Sequence, residues 1–163
     1  MEIRKAVPGD IPRILTIYDD ARAFMRRSGN MNQWINGYPS EDVLREDTAA
    51  GNLYVVSDGE LITGVFFFSV MDDPTYHVID GAWSSDMEYG VIHRIARTEG
   101  CHDLLHTALS FASGYTDYIR IDTHKDNIPM QRALEREGFR HCGRIWIADG
   151  SERIAFDRLC YRD

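Results

Sequence analysis

Residues 119–139 read IRIDTHKDNIPMQRALEREGF, and they contain the best-defined local signal in the chain. The first residues indicate a strand that ends at about Thr123, and a polar loop follows. Asn127 stands where a side-chain oxygen can cap a helix, and Gly138 stands where that helix must end. The stretch therefore predicts a strand that ends at about Thr123, followed by a helix over 129–137.

The flanking segments show further strand and helix signals. Asp10 is expected to cap a helix with Pro12 in its first turn, and Ser40 is expected to cap a shorter one. Asp58-Gly59 and Asp149-Gly150 are dipeptides typical of tight hairpins. A third helix is predicted over 104–112, and 72–86 stays unassigned. The predicted strands cover 3–6, 53–57, 61–71, 89–96, 118–123, 140–148 and 152–159.

The order of these elements predicts the fold class. It gives an α+β fold with a mixed, mostly antiparallel sheet and one parallel crossover near the middle. The chain has 163 residues and no repeat or linker, so a single domain over 1–163 is expected. Ligands of such sheets bind at the carboxyl ends of strands, beside the crossover.

Composition and charge exclude several classes of function. Eighteen Lys+Arg against 26 Asp+Glu give a net charge of −8, and no basic tract exists to neutralise nucleic acid. The longest apolar run, 65–71, is far short of the ~20 residues that span a bilayer, so no membrane partner is expected. A charged N-terminus and three scattered cysteines, an odd number, indicate reduced thiols and a cytoplasmic location.

Several blocks together resemble a known superfamily. The segment from Asn127 to Phe139, Asn-x-x-Met-x-x-x-Leu-Glu-x-x-Gly-Phe, resembles the second signature of GNAT acetyltransferases. The chain is also similar to a group of uncharacterised bacterial GNAT proteins, and this resemblance covers essentially its whole length. The further shared blocks are Gln33-Trp-x-x-x-Tyr-Pro39, Gly90-Val-Ile-His-Arg-Ile-Ala96, Ile121-Asp-Thr-His-x-Asp-Asn127 and Asp149-Gly-Ser-x-Arg153.

The resemblance implies a GNAT-like sheet with helices on both faces and two central strands that splay apart. The pantetheine arm of acetyl-CoA would fill that gap, and its diphosphate would lie on the N–H groups that open the helix after Gly100. No metal is implied. The cofactor-binding residues implied in this way are Ile95, Ala96, Arg97, Gly100, Cys101, His102, Asp103, Leu104, Leu105, Asn127 and Gln131.

The phosphate-binding loop departs from the family pattern. The usual sequence is Arg/Gln-x-x-Gly-x-Gly/Ala, and an ungapped match places it on 100–105. Asp103 and Leu105 then replace the two glycines, and a carboxylate repels a diphosphate. The diphosphate is therefore expected either to shift towards 97–101 or to bind weakly, with protonated His102 as a possible aid.

Acetyl transfer requires a deprotonated amine and a protonated leaving thiolate. His93, on the strand beside the expected thioester, is the candidate base, although a histidine there is equally compatible with a core role. Glu88 and Tyr89 are rivals at the start of that strand. The tyrosine that often serves as the acid in this superfamily is replaced by Leu134, so His124 becomes a candidate donor.

The acceptor is expected to be a primary amine, either a small molecule or a peptide N-terminus. Amphipathic aromatic and amide side chains suit a small polar ligand. They also suit a core anchor, and Trp34 fits both roles. The candidate acceptor-binding residues are Asn32, Gln33, Trp34, Tyr38 and Trp83, with Tyr76 as a further candidate.

Other functions remain open at this stage. The altered loop and the missing tyrosine also fit a GNAT-fold binding module that has lost catalysis. His102 and His106 lie one helical turn apart beside Cys101, a zinc-like spacing, but no fourth ligand is evident. Members of the superfamily are often dimers, so a homodimer is one expectation.

Overall fold

The computed structural model describes residues 1–160 and contains one eight-stranded mixed sheet with helices on both faces. The strands are β1 (Glu2–Lys5), β2 (Leu53–Asp58), β3 (Leu61–Val70), β4 (Asp80–Gly81), β5 (Gly90–Arg97), β6 (Tyr118–Thr123), β7 (Arg140–Trp146) and β8 (Glu152–Leu159). The helices are α1 (Ile11–Arg27), α2 (Glu41–Ala49), α3 (Leu104–Ala112) and α4 (Ile128–Arg136). The strand order is β1-β2-β3-β5-β6-β8-β7-β4. The predicted fold class is confirmed, and the unassigned segment contains β4.

Two of the three predicted helix caps form. The Ser40 hydroxyl accepts the Val43 N–H at 3.3 Å, and the Asn127 side chain accepts the Met130 N–H at 3.1 Å. The prediction for Asp10 is wrong, because its carboxylate accepts no N–H from α1. It instead accepts the Val7 N–H at 2.9 Å, closing a short 3-10 turn before the helix.

The sheet separates two hydrophobic clusters, one under each pair of helices. Residues of α1 and α2, such as Ile14 and Leu44, pack on one face of the sheet. Residues of α3 and α4, such as Leu109 and Leu134, pack on the other face. Each fully buried side chain of this size contributes roughly 1.5–3 kcal/mol, so the helices are fixed to the sheet mainly by apolar burial. Among residues 1–160, no helix has the length and apolarity needed to cross a membrane.

The two central parallel strands part soon after they begin. β5 and β6 pair only at Gly90↔Ile119 and Val91↔Arg120. Beyond that point β5 follows β3 and β6 follows β8. The predicted splayed pair is therefore confirmed, and it leaves a wedge between the carboxyl-terminal halves of β5 and β6.

A bulge in β5 accompanies this parting. Val65 pairs with Ala96 and Phe67 with His93, so two residues of β5 face one residue of β3. Arg94, in the bulge, adopts a left-handed φ of 49°. A bulge bends its strand and leaves backbone groups outside the ladder. Both effects occur next to the wedge.

The segment between β3 and β5, residues 71–89, is fixed by buried charges of the sheet. The guanidinium of Arg120 lies 4.1 Å from the ring centroid of Tyr89 and 4.3 Å from that of Trp83. The carboxylate of Asp157 accepts the Ser84 N–H at 2.6 Å and the Tyr118 hydroxyl at 2.6 Å. Such charge-assisted contacts are strong in a buried setting, so this long connection has a defined path.

We expect Asp157→Asn to lower the free energy of unfolding by about 1.5–3 kcal/mol at pH 7, because charge-assisted hydrogen bonds are lost. Urea unfolding monitored by circular dichroism measures this change. Asp20→Asn is the matched control, since Asp20 is exposed on α1. A loss of the same size in both variants would contradict the assignment.

The stabilisation from Asp157 should also depend on pH. Burial raises the pKa of its carboxyl, but the bonds from Tyr118 and Ser84 outweigh burial and bring the pKa below its ordinary value. A pKa depressed by folding gives stability that is present above the unfolded-state pKa and lost as the pH falls through the folded-state pKa. The difference between the wild type and Asp157→Asn should therefore shrink below about pH 4.

Candidate active site

A cavity of about 810 Å³ lies over the wedge between β5 and β6. Its walls come from the α1–α2 loop, β3, the start of the 71–89 segment, the second half of β5, the end of β6, the start of α4, and the β7–β8 turn with the start of β8. Its lining combines apolar side chains, among them Phe67, Met71 and Ile92, with a few charged ones. A mostly apolar cavity with a few converging polar groups is the usual form of a small-molecule site.

The imidazole of His93 lies between two carboxylates in this cavity. Its Nε2 is 2.8 Å from Asp73 Oδ2, and its Nδ1 is 3.9 Å from Asp122 Oδ2. The three side chains are mostly buried, with 22%, 11% and 13% of their surface exposed. The imidazolium that forms when this ring accepts a proton would therefore have a carboxylate on each side.

Asp73 is held in its ionised form. Burial raises the pKa of this carboxyl, but the hydrogen bond and charge of His93 and the bond from the Thr75 N–H outweigh it, so the pKa lies below its ordinary value. An ionised Asp73 accepts the proton on Nε2 of His93. The lone pair of the neutral ring is then on Nδ1, which faces Asp122.

Tyr76 completes the polar cluster from the 71–89 segment. Its hydroxyl donates to Asp122 Oδ2 at 2.6 Å. Burial and the charge of Asp122 raise the pKa of this hydroxyl well above its ordinary value, so Tyr76 stays protonated as a donor. Asp122 therefore keeps one oxygen committed to Tyr76 and presents its charge to the cavity.

The α1–α2 loop forms the opposite wall. The Gln33 side-chain oxygen accepts the amide N–H groups of Asn30 at 2.7 Å and Asn127 at 3.0 Å, tying the loop to the start of α4. Trp34 packs edge-on against Tyr18 with ring centroids 5.5 Å apart. Gln33, Trp34 and Tyr38 all line the cavity, whereas Asn32 is exposed outside it.

Arg94 connects this loop to the bulge in β5. Its Nε donates to Asp47 of α2 at 2.8 Å, and its Nη1 donates to the Tyr38 hydroxyl at 2.9 Å. The Tyr18 hydroxyl donates to the Arg94 carbonyl. The bulge, both amino-terminal helices and the loop therefore form one connected unit.

The start of α3 leaves several backbone donors free. Within residues 1–160, the first hydrogen bond of this helix runs from the Thr107 N–H to the Asp103 carbonyl at 2.9 Å, and the amides of 104–106 have no acceptor. Asp103 occupies the cap position with a left-handed φ of 56°, yet its carboxylate caps nothing. Arg97 donates to the Cys101 carbonyl at 2.9 Å and thereby fixes the loop before the helix.

Apart from Asn32 and the candidates between 96 and 105, four of the proposed site residues lie away from the cavity surface. The indole of Trp83 donates to the Tyr76 carbonyl at 3.0 Å, so Trp83 supports the site from behind and does not line it. Glu88 lines a separate, smaller cavity at the start of β5. The side chain of Gln131 donates to the carbonyls of His124 and Lys125.

His124 is the fourth, buried at the end of β6. Its Nδ1 accepts the Asp126 N–H at 3.0 Å. Burial, followed by the positive charge of Arg153, lowers the pKa of this imidazole, so it is neutral. Its position at the loop before α4 favours a structural role there over the donor role considered from the sequence.

The cofactor-site candidates fall into two groups. Ile95 and Asn127 line the cavity, while Ala96 is buried in the β3–β5 ladder. The stretch 97–105 forms the loop and first turn of α3. Cys101, Leu104 and Leu105 are buried there against the sheet, whereas Gly100, His102 and Asp103 are exposed.

Sequence reasoning missed Asp73, Asp122 and Arg153, all of which line the cavity. A signal for Asp122 existed, since two charged residues, Arg120 and Asp122, alternate with isoleucines in a central strand. Such charges must face a partner or a cavity. Asp73 gave no comparable signal, because 72–86 showed no regular pattern.

The zinc-like spacing near the start of α3 forms no cluster in the structure. The ring of His106 lies 3.2 Å from Glu137, and Cys101 is buried among apolar side chains. Within the described residues, no group of three or more His, Cys, Asp or Glu side chains is arranged to hold a metal ion.

Comparisons with solved structures identify the fold. A GNAT-family acetyltransferase from Streptococcus agalactiae is 28% identical over 99% of this chain and 96% of its own, with a TM-score of 0.89. A GNAT-family acetyltransferase from Bacillus cereus is 17% identical over 99% and 98%, with a TM-score of 0.66. A ribosomal-protein-alanine N-acetyltransferase from Brucella melitensis is 14% identical over 98% and 99%, with a TM-score of 0.60.

No family model and no curated protein sequence matches the chain. The assignment therefore depends on structure. The parted central strands, the bulge beside them and the open amino terminus of α3 occur together in a fold shared over nearly the whole chain with the Streptococcus agalactiae acetyltransferase. On this evidence the chain has the GNAT fold, and it resembles GNAT-family acetyltransferases over nearly its whole length.

Proposed function

We propose that this protein is an acetyl-CoA-dependent N-acetyltransferase that acetylates a primary amine by direct transfer in a ternary complex. The observation that carries the proposal is the wedge between β5 and β6, with the Asp73–His93 pair on its wall. The wedge offers unpaired strand edges to a pantetheine arm, and the pair offers a base for an amine.

The residues present fit the two ends of acetyl-CoA differently. Beyond Val91 and Arg120, the facing edges of β5 and β6 do not pair with each other, as a peptide-like pantetheine arm requires. At the other end, the free amides of 104–106 and the helix dipole of α3 favour a diphosphate. Asp103 opposes it, because its carboxylate lies at the same helix end.

His93 is the proposed base. An incoming ammonium group is attracted by Asp122 and can pass a proton to Nδ1 of His93, while Asp73 holds Nε2–H and fixes the ring. Acetyl-CoA supplies the activated thioester. The deprotonated amine would form the new C–N bond to the acetyl carbon while the C–S bond breaks. The attacking nitrogen then releases its second proton and the departing thiolate takes up one, so that the products are the N-acetylated amine and free CoA.

The bulge in β5 has a role in the same step. Its residues face the cavity at Arg94 and Ile95, outside regular pairing with β3. A backbone N–H held there can stabilise the negative charge that develops on the acetyl oxygen. The contacts of Arg94 with Asp47 and Tyr38 keep this donor in place before the substrate arrives.

The chemistry of the acceptor end favours an amine that is cationic in solution. Three aspartates line the cavity, two of which, Asp73 and Asp122, flank His93, and the whole chain has a net charge of −8. One structural relative is a ribosomal-protein-alanine N-acetyltransferase, whose acceptor is a protein. Small-molecule amines and peptide N-termini are thus the two acceptor classes to compare.

A thermal-shift titration with acetyl-CoA, CoA and a dephosphorylated pantetheine control tests the proposal. At 100 times its dissociation constant a ligand stabilises the fold by about 2.7 kcal/mol, so a clear rise in melting temperature is expected. Thiol release across an amine panel then measures transfer. The absence of any shift at millimolar acetyl-CoA would contradict acetyl-CoA as donor, and binding without transfer to any amine would favour a binding module.

We expect His93→Gln to lower turnover by about 10²–10⁴-fold with little change in acetyl-CoA affinity, because glutamine cannot accept the proton. His77→Gln is a matched control, since the exposed His77 pairs with Asp72 at the same 2.8 Å. If His93→Gln retained wild-type rates across the pH range while Glu88→Gln lost activity, the base would instead lie at the start of β5.

Asp103→Asn should tighten CoA binding by about two- to fivefold at low salt, because a carboxylate is removed from a helix amino terminus that faces phosphate. Asparagine tolerates the left-handed φ of this position, so the backbone should be unchanged. Isothermal titration at two salt concentrations measures the change. Asp42→Asn, in the first turn of α2, is the control, and an unchanged affinity for Asp103→Asn would place the diphosphate elsewhere.

A further inference from the structure

Arg153 is a buried charge in the cavity that the proposed acetyl transfer does not use. It is the second residue of β8, only 7% exposed, and it lines the cavity. Its Nη1 donates to the Glu152 carbonyl at 2.9 Å and to the Ser151 hydroxyl at 3.3 Å. Among residues 1–160, no carboxylate lies within ion-pair distance of its guanidinium.

The nearby acidic groups have closer partners than Arg153. The Glu152 carboxylate accepts from Arg144 at 2.8 Å. The Asp149 carboxylate, on the turn before β8, accepts the Ser151 N–H at 2.8 Å and the Ser151 hydroxyl. A guanidinium buried to this extent normally pairs with an anion, because an unpaired buried charge is costly. The missing anion can come from a ligand.

The register of the sheet sets the distance between Arg153 and the acidic end of the cavity. Asp122 pairs with Ala155, so Arg153, two residues earlier on β8, projects from the same face. Diagonal neighbours of this kind are about 7–8 Å apart at the backbone. The site therefore has two carboxylates and a base at one end and an unpaired cation a short distance away.

We infer that the acceptor is a small zwitterion, an amine that also carries a carboxylate, as a free amino acid does, and that Arg153 binds its carboxylate. This rests on the proposed function, and it selects a small molecule over a peptide N-terminus. The ammonium group goes to Asp122 and His93, and the planar guanidinium binds the oxyanion with two parallel hydrogen bonds. A zwitterion adds no net charge to the cavity, and each of its two charged groups meets an opposite charge.

The hairpin turn supports this role. Ser151 is fixed by Asp149, and in turn it accepts a hydrogen bond from Arg153. The sequence Asp149-Gly-Ser-x-Arg153 thus connects a rigid turn to the guanidinium. Arg153 is a specificity residue under this inference, because it contacts the acceptor but not the reacting atoms.

The test compares matched acceptors on the CoA-dependent assay. Probes are the twenty amino acids with their methyl esters, and glycine, β-alanine and γ-aminobutyrate, which differ in spacing. Aminomethylphosphonate and 2-aminoethylphosphonate test whether a phosphonate group can replace the carboxylate of the acceptor. We expect acids to exceed their esters in kcat/KM by at least about tenfold, since a charged hydrogen-bonded pair is lost in the ester.

Arg153→Met should remove that preference, chiefly through KM for the acids, and leave the esters unchanged, while Arg153→Lys should retain part of it. Arg144→Met, on β7, is the control for the hairpin, because Arg144 is exposed and paired with Asp80 and Glu152. Melting curves of both Arg153 variants report whether they fold. Equal rates for acids and esters, or equal losses for both in Arg153→Met, would overturn the inference.

Binding measured without transfer separates the two proposals. Amino acids added to the CoA-bound protein should raise its melting temperature more than their esters do, and Arg153→Met should abolish the difference. Such a shift without thiol release would sustain the role of Arg153 and contradict the transferase. Transfer to esters and peptides as fast as to acids would sustain the transferase and contradict the role of Arg153. A preference for the phosphonates would contradict a carboxylate as the anion that Arg153 binds.

Discussion

The early parting of β5 from β6 is the constraint on which the rest of the site depends. β5 pairs with β6 only at Gly90 and Val91. After the bulge at Arg94, β5 continues to pair with β3 alone. An open edge inside a sheet is costly, because its N–H and C=O groups lose their partners. Arg94, through Asp47 and Tyr38, couples the bulge to both amino-terminal helices and so opposes closure of the wedge. The opening is thus maintained by packing around it.

The charges of the cavity come from segments far apart in sequence, and buried interactions elsewhere bring them together. Asp73 reaches His93 only because the 71–89 segment is fixed to the sheet. Arg120 holds that segment with its aromatic cage, and Asp157 holds it through Ser84. Substitutions at these two positions should therefore alter the geometry of the Asp73–His93 pair without changing a residue that lines the cavity. This coupling explains how an irregular connection can supply a carboxylate to within hydrogen-bonding distance of a central strand.

The sequence was sufficient for the helices and for every strand except β4, and it was insufficient for the convergence of side chains. Local signals act within a few residues, and they located the hairpin at Asp58-Gly59, the Asn127 cap and the strand 118–123. Asp10 shows their limit, because its carboxylate found a competing partner in Arg4. Trp83 is an amphipathic aromatic residue of the kind expected to contact a ligand. It packs instead against the guanidinium of Arg120, behind the cavity. Arg153 was visible only within a shared block, since its lack of an anionic partner is a property of three-dimensional structure.

Leu134, which is fully buried, stands where related proteins often have a tyrosine that protonates the leaving thiolate. The loss of such an acid should slow acetyl transfer less than the loss of a base would. An alkyl ammonium group has a pKa near 10.4, so at neutral pH very little amine is free to attack, and a base that removes the proton has a large effect. A thiol has a pKa near 8.5, so its thiolate is a competent leaving group that can be protonated after departure. The site follows this asymmetry. It places Asp73, His93 and Asp122 together on the cavity wall, whereas Leu134 lies within an apolar cluster.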